Sequence, residues 1–117
     1  MSASPADRDA VPSPAAFSAE PGRQPGTWVL RARGEIDVAT SPDLRRELHQ
    51  LVERTGSIVV DLRDVTFIDS SGLGVLVGTL KRLRERDPNA TLVLEGLQEP
   101  VRKVFDITGL SDLFTIH

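Results

Sequence analysis

The chain contains no cysteine and only two histidines, His49 and His117. The first absence excludes disulfide scaffolds, thiolate zinc sites and dithiol redox motifs. Two histidines so far apart in sequence do not build a metal site. There is no excess of basic charge: the formal net charge is −3, which gives no reason to expect a nucleic acid partner. There is no apolar run of membrane-spanning length, so no membrane partner is expected. The longest near-apolar stretch, Leu73 to Leu80, includes Gly74 and Gly78. The N-terminus lacks a basic segment followed by an apolar one, so no secretory signal is read and a cytoplasmic location is expected. At 117 residues the chain cannot hold a cofactor domain and a separate substrate domain.

What is present divides unevenly. Residues 1–26 hold five of the eight prolines and are otherwise rich in Ala, Ser and Gly. Such a segment buries too little apolar surface to offset its ordering entropy. It is expected to be a disordered tail, with at most a short edge strand around Ala15–Ala19, and residues 27–117 to form the domain. Thr27–Gly34 alternates as a strand. Ser41 is placed as the cap of a first helix, with Pro42 in its first turn and Leu44, Leu48, Leu51 and Val52 on one face. Ser57–Leu62 reads as a central parallel strand buried on both faces, continuing through Ile68. A second helix runs from the Ser70 region to about Arg86, burying Leu73, Leu76, Val77, Leu80 and Leu83. Thr91–Glu95 is a further strand. Glu99-Pro100 opens a third helix, with Val101, Val104, Phe105 and Ile107 inward and Gly109 as its stop. Phe114–Ile116 is a last short strand. This order predicts an α/β fold with a four- to five-stranded mixed sheet and helices mainly on one side.

Three chemistries could sit on these elements. A nucleophile elbow requires Gly-x-Ser-x-Gly; around Ser70 the first glycine is replaced by Ile68, and neither histidine is placed as a base. A hydrolase is therefore not expected. Gly72, Gly74 and Gly78, with Glu95 on the next strand, partly match a dinucleotide fingerprint. The glycines are more simply read as letting the helix approach the sheet closely, and no lysine follows them as a phosphate loop requires. The remaining candidate is Asp69-Ser70-Ser71-Gly72 at a helix start. It reads either as a plain N-cap or as a phosphoacceptor. A phosphate on Ser70 would lie at the positive end of the helix dipole. It would add about −1.5 to −2 charge to a docking surface. If the strands are parallel, Asp37 emerges at the same sheet end as Ser70.

These residues carry a resemblance. Gly34-Glu35-Ile36-Asp37, Val59-Val60-Asp61-Leu62 and Phe67-Ile68-Asp69-Ser70-Ser71-Gly72-Leu73-Gly74-Val75-Leu76 resemble, in order and spacing, the STAS domain of anti-sigma factor antagonists, the SpoIIAA-like proteins. Val104 to Leu110 resembles the end of that family's third helix. The resemblance implies a bacterial partner-switching regulator rather than an enzyme. The unphosphorylated form would bind an anti-sigma factor that is a serine kinase of the histidine-kinase-like ATPase fold, releasing the sigma factor. Phosphorylation at Ser70 would end binding, and a PP2C-type phosphatase would reverse it. Asp37, Thr40, Asp69, Ser70, Ser71, Gly72 and Leu73 fall on the implied contact surface. No cofactor is implied, ATP belonging to the kinase, and a monomer or weak dimer is expected. The alternative is a STAS subunit of a transport or sensory complex. Two departures stand out: the Pro/Ala-rich N-terminal extension, and an expected lack of the family's final helix.

Overall fold

The computed structural model describes residues 15–117. Five strands form one mixed sheet in the order β1-β2-β3-β4-β5. They are β1 (Ala15–Pro21), β2 (Thr27–Ile36), β3 (Ser57–Ile68), β4 (Thr91–Glu95) and β5 (Thr115–Ile116). β1 runs antiparallel to β2, and every later neighbour is parallel. Three helices supply the crossovers: α1 (Ser41–Val52), α2 (Ser70–Arg86) and α3 (Glu99–Thr108). A single 3-10 turn, Leu110–Asp112, precedes β5.

The core lies between the sheet and the helices. Leu30, Ile58, Val60, Leu62, Leu92 and Leu94 point from the strands toward Leu44 and Leu48 of α1 and Leu76, Leu80 and Leu83 of α2, all buried. Phe105 of α3 meets Phe114 edge-on, with ring centroids 5.9 Å apart and planes at 87°. That arrangement adds about 0.5–1.5 kcal/mol beyond the area buried. At the far end of α2, Arg86 donates to the Val52 carbonyl at 2.6 Å. It thereby satisfies an orphan acceptor at the end of α1.

Four expectations need correction. Residues 15–26 do not continue a tail, because β1 pairs along its whole length with β2, Ala15 opposite Gly34 through Pro21 opposite Trp28. The ladder bonds, Phe17 packed against the core and the Glu20–Arg31 pair at 3.1 Å supply what composition does not reveal. Residues 1–14 of that expected tail lie outside the described residues. Second, β3 is not buried on both faces. Ile58 and Val60 are fully covered, but Val59 is only half-buried. It shares a helix-free face with Val29, Arg31, Asp61 and Val93. Third, Ile107 does not point inward; it is 83% exposed. Its position falls about 200° around the helix from Phe105, at about 100° per residue. Fourth, the cap of α1 is Thr40, and Ser41 is its first residue.

On the helix-free face, Asp61 is only 5% exposed. Its carboxylate accepts from Arg31 Nη1 at 2.8 Å, and from Arg63 Nε at 3.1 Å and the Arg63 backbone N–H at 3.0 Å. A buried carboxylate requires such partners to offset desolvation.

Candidate functional site

The parallel pairing of β2 with β3 sets Ile36 beside Ile68, and the Asp69 N–H donates to the Ile36 carbonyl at 3.1 Å. The loop after β2 and the start of α2 therefore emerge side by side. Asp37 and Asp69 share one end of the sheet, as the parallel reading requires.

Asp69 has extended backbone and caps α2. Its Oδ1 accepts from the Ser71 N–H at 2.9 Å, the Ser71 hydroxyl at 2.5 Å and the Gly72 N–H at 3.4 Å. The Ser71 bond is the chief reason its carboxyl lies below the ordinary carboxylate range; partial burial opposes the shift, and the Gly72 and Ser71 N–H groups reinforce it. The two serines are thus unequal. The Ser71 hydroxyl is committed to the cap. The Ser70 side chain is exposed and makes no hydrogen bond among the described residues.

Gly72 explains why this turn fits so tightly. A Cβ there would stand 2.6 Å from Ile36 Cγ2 and 2.8 Å from Ile68 Cγ1. The close approach expected of Gly74 and Gly78 does not occur. A Cβ at either would meet nothing within 4 Å, and neither has positive φ. Both face away from the sheet. With Ser70, Leu73, Val77, Lys81 and Leu110 they line a groove of about 470 Å³ between α2 and the end of α3. Leu73 itself is 6% exposed, so it forms the groove floor more than a protruding contact.

The loop between β2 and α1 is tied by its own polar groups. Asp37 Oδ1 accepts from the N–H groups of Ala39 at 3.0 Å and Thr40 at 3.1 Å. Thr40 Oγ1 accepts from the Asp37 N–H at 2.9 Å. Its single proton lies between the Glu35 carbonyl at 2.9 Å and Asp37 Oδ1 at 3.2 Å. Thr40 is 6% exposed, so it shapes the loop from within instead of offering a contact. Val38, left 76% exposed at the loop tip, was not singled out by sequence reasoning. Phe67, paired with Glu35 and 46% exposed, was also missed. The signal for Phe67 was available, since it alternates with Ile68 on a strand whose Ile68 face is the core. Among the described residues no cluster of His, Asp or Glu side chains is suited to a metal ion. No helix among them is long and apolar enough to cross a membrane.

A STAS-domain family model matches residues 19–117. The chain belongs to the STAS family. Several relatives within it are named anti-sigma factor antagonists. The anti-sigma-B factor antagonist of Bacillus subtilis is 45% identical over 83 residues, 71% of this chain and 74% of that protein. A solved anti-sigma factor antagonist from Mycobacterium paratuberculosis superposes with a TM-score of 0.78 at 26% identity, covering 88% of this chain and 85% of the other. The antagonist SpoIIAA has been solved in both states. Its unphosphorylated form superposes at a TM-score of 0.73, 26% identity and coverage of 87% and 88%. The phosphorylated form, from Bacillus, does so at 0.66, 25% identity and coverage of 87% and 91%. This STAS domain therefore has the fold that its sequence implied, a five-stranded mixed sheet with three helices.

Proposed function

We propose that this STAS protein is an anti-sigma factor antagonist that binds an anti-sigma factor and is switched by phosphorylation of Ser70. The observation that carries the assignment of the acceptor is the inequality of the two serines. The Ser70 hydroxyl is exposed and unengaged among the described residues, whereas that of Ser71 is held by Asp69 at 2.5 Å. A phosphate on Ser70 would stand at the N-terminus of a 17-residue helix, where the dipole favours an anion. The fold would tolerate it. A partner docked across Glu35, Asp37 and Asp69 would meet an added charge of about −1.5 to −2, and the contact would fail.

The partner implied by the family resemblance is a serine kinase of the histidine-kinase-like ATPase fold, with a PP2C-type phosphatase resetting the switch. ATP is then the kinase's ligand, and this chain needs no cofactor and catalyses nothing itself. Such exchange takes place in the cytoplasm. Asp37, with Oδ1 spent on its own loop, offers Oδ2 to that partner. Gly72 and Leu73 support the turn beneath it, and Ser71 and Thr40 fix its shape.

The test is a paired capture from host lysate, with wild type and Ser70→Asp as baits and mass spectrometry of what each retains. A histidine-kinase-like ATPase on wild type, lost by tenfold or more on Ser70→Asp with the melting temperature unchanged, is expected. The same partner on both baits, or a transport component on either, would replace the antagonist reading with that of a transport or sensory subunit.

A further inference from the structure

Among the described residues the two outward glycines of α2 serve neither close packing nor a glycine-only backbone conformation. Each weakens the helix relative to alanine. Neither sits in a backbone conformation that needs glycine, and neither makes room for a neighbour of its own chain. Gly72, three residues into the same helix, shows what a packing glycine looks like here. What Gly74 and Gly78 do accomplish is to keep open the groove between α2 and the end of α3. Val77 and Leu110 provide its apolar walls, and both are only partly buried. The groove starts at Ser70 and ends at Lys81, eleven residues and about 16 Å along the helix at about 1.5 Å per residue.

Among the described residues Lys81 is the one ionisable side chain that lines the groove; it is exposed and has no ion pair with any of them. Beyond it on α2, Arg82 turns to Glu53 at 3.9 Å, and the exposed Glu85 stands one turn further along the groove side. An occupant that fits is apolar along its length and places a carboxylate at Lys81, short of Glu85. A bare groove floored by glycine and walled by Val and Leu accepts the ridge of an amphipathic helix.

We infer that the anti-sigma factor lays an amphipathic helix along this groove, with its apolar ridge over Gly74 and Gly78 and a carboxylate against Lys81. The inference rests on the antagonist reading above and extends its contact from the Ser70 turn along about three turns of α2. Ser70 then acts as a gate at one end of a longer interface. Phosphorylation abolishes docking there, while affinity and partner choice are set further along the groove.

The test uses the full chain and the partner that wild type captures, purified and titrated by calorimetry. The variants are Gly78→Leu, Lys81→Glu and Lys81→Arg. A Cβ at position 78 has no neighbour within 4 Å, and the rest of a leucine side chain fills the open groove, so Gly78→Leu should melt at or above the wild-type temperature and yet bind at least tenfold more weakly. Lys81→Glu should weaken binding several-fold, and Lys81→Arg should keep it. Wild-type affinity in both Gly78→Leu and Lys81→Glu would overturn the inference. So would a change confined to self-association on sedimentation, which would assign the groove to a second copy of this chain. If wild type itself captures no such partner, the antagonist reading fails first, and that failure is seen before any groove variant is made.

Discussion

Gly72→Ala and Gly78→Ala make the same chemical change on the same helix, and the structure requires their effects to have opposite signs. At position 72 the new methyl would lie 2.6 Å and 2.8 Å from side-chain carbons of Ile36 and Ile68. Those isoleucines are 0% and 2% exposed, so neither can swing into solvent to make room. Overpacking of this kind costs about 1–3 kcal/mol, and two contacts below 3 Å place it in the upper half of that range. The helix preference of alanine over glycine offsets about 1 kcal/mol. The net loss is about 1–2 kcal/mol, a fall in melting temperature of roughly 5–15 °C for a domain near this size. At position 78 the clash is absent and the preference remains, giving a gain of about 1 kcal/mol and a rise of roughly 4–8 °C. Thermal and urea unfolding followed by circular dichroism measures both. Shifts of the same sign, or a neutral Gly72→Ala, would refute the claim that Gly72 alone carries the close packing.

Other consequences are smaller in scale but as specific. Thr40→Val preserves shape while removing the hydroxyl that accepts from the Asp37 N–H and bonds the Glu35 carbonyl; about 1–3 kcal/mol should be lost in urea unfolding, with partner binding weakened although Thr40 is buried. A stability change below a few tenths of a kcal/mol would show that the loop does not depend on it. Asp69→Ala removes the α2 cap and should cost about 1 kcal/mol at neutral pH. Because the folded state holds this carboxyl below its ordinary range, its extra stabilisation is complete above the unfolded value, about 3.9, and is lost as the pH falls through the folded one. The gap between wild type and Asp69→Ala should therefore narrow in urea titrations below about pH 4; a gap constant down to pH 3 would contradict the hydrogen-bonding account.

Much of this was legible in residue order, and the misreadings have traceable causes. The leucines at 73, 76, 80 and 83 define an inward face for α2. On the same wheel, at about 100° per residue, Gly72 falls inside that face and Gly74 and Gly78 fall nearly opposite it. Spacing of i, i+4 established that the two glycines share a face, but the leucines had to say which one. Ile107 was drawn inward by its chemistry although its angle opposes Phe105. β1 has almost no signal of its own: Ala15–Pro21 contains no β-branched residue, and its order comes from β2. The Asp69–Gly72 turn was plain because a cap and its serines are local. The division of labour between Ser70 and Ser71 was not, since it depends on a rotamer. Thr40 enters the implied contact surface through the resemblance alone, and sequence does not report that its hydroxyl turns back to residue 35.

The register of β2 against β3 has a consequence for how this protein can change over evolutionary time. From Arg31 to Ile36 β2 advances five residues, while β3 advances seven between their partners, Asp61 and Ile68; the surplus enters at two irregularities. Each extra residue bends its strand and increases the local twist. Ile68 is thus brought level with Ile36 only by a metered length of chain. One residue more or fewer between Asp61 and Asp69 would reverse which side of the sheet each following side chain occupies, turning Ser70 away from the Asp37 loop. Loops such as Asp87–Asn89 are free to vary in length. The stretch from Asp61 to Asp69 is a ruler, and a lineage that altered it would lose the alignment of Ser70 with the Asp37 loop.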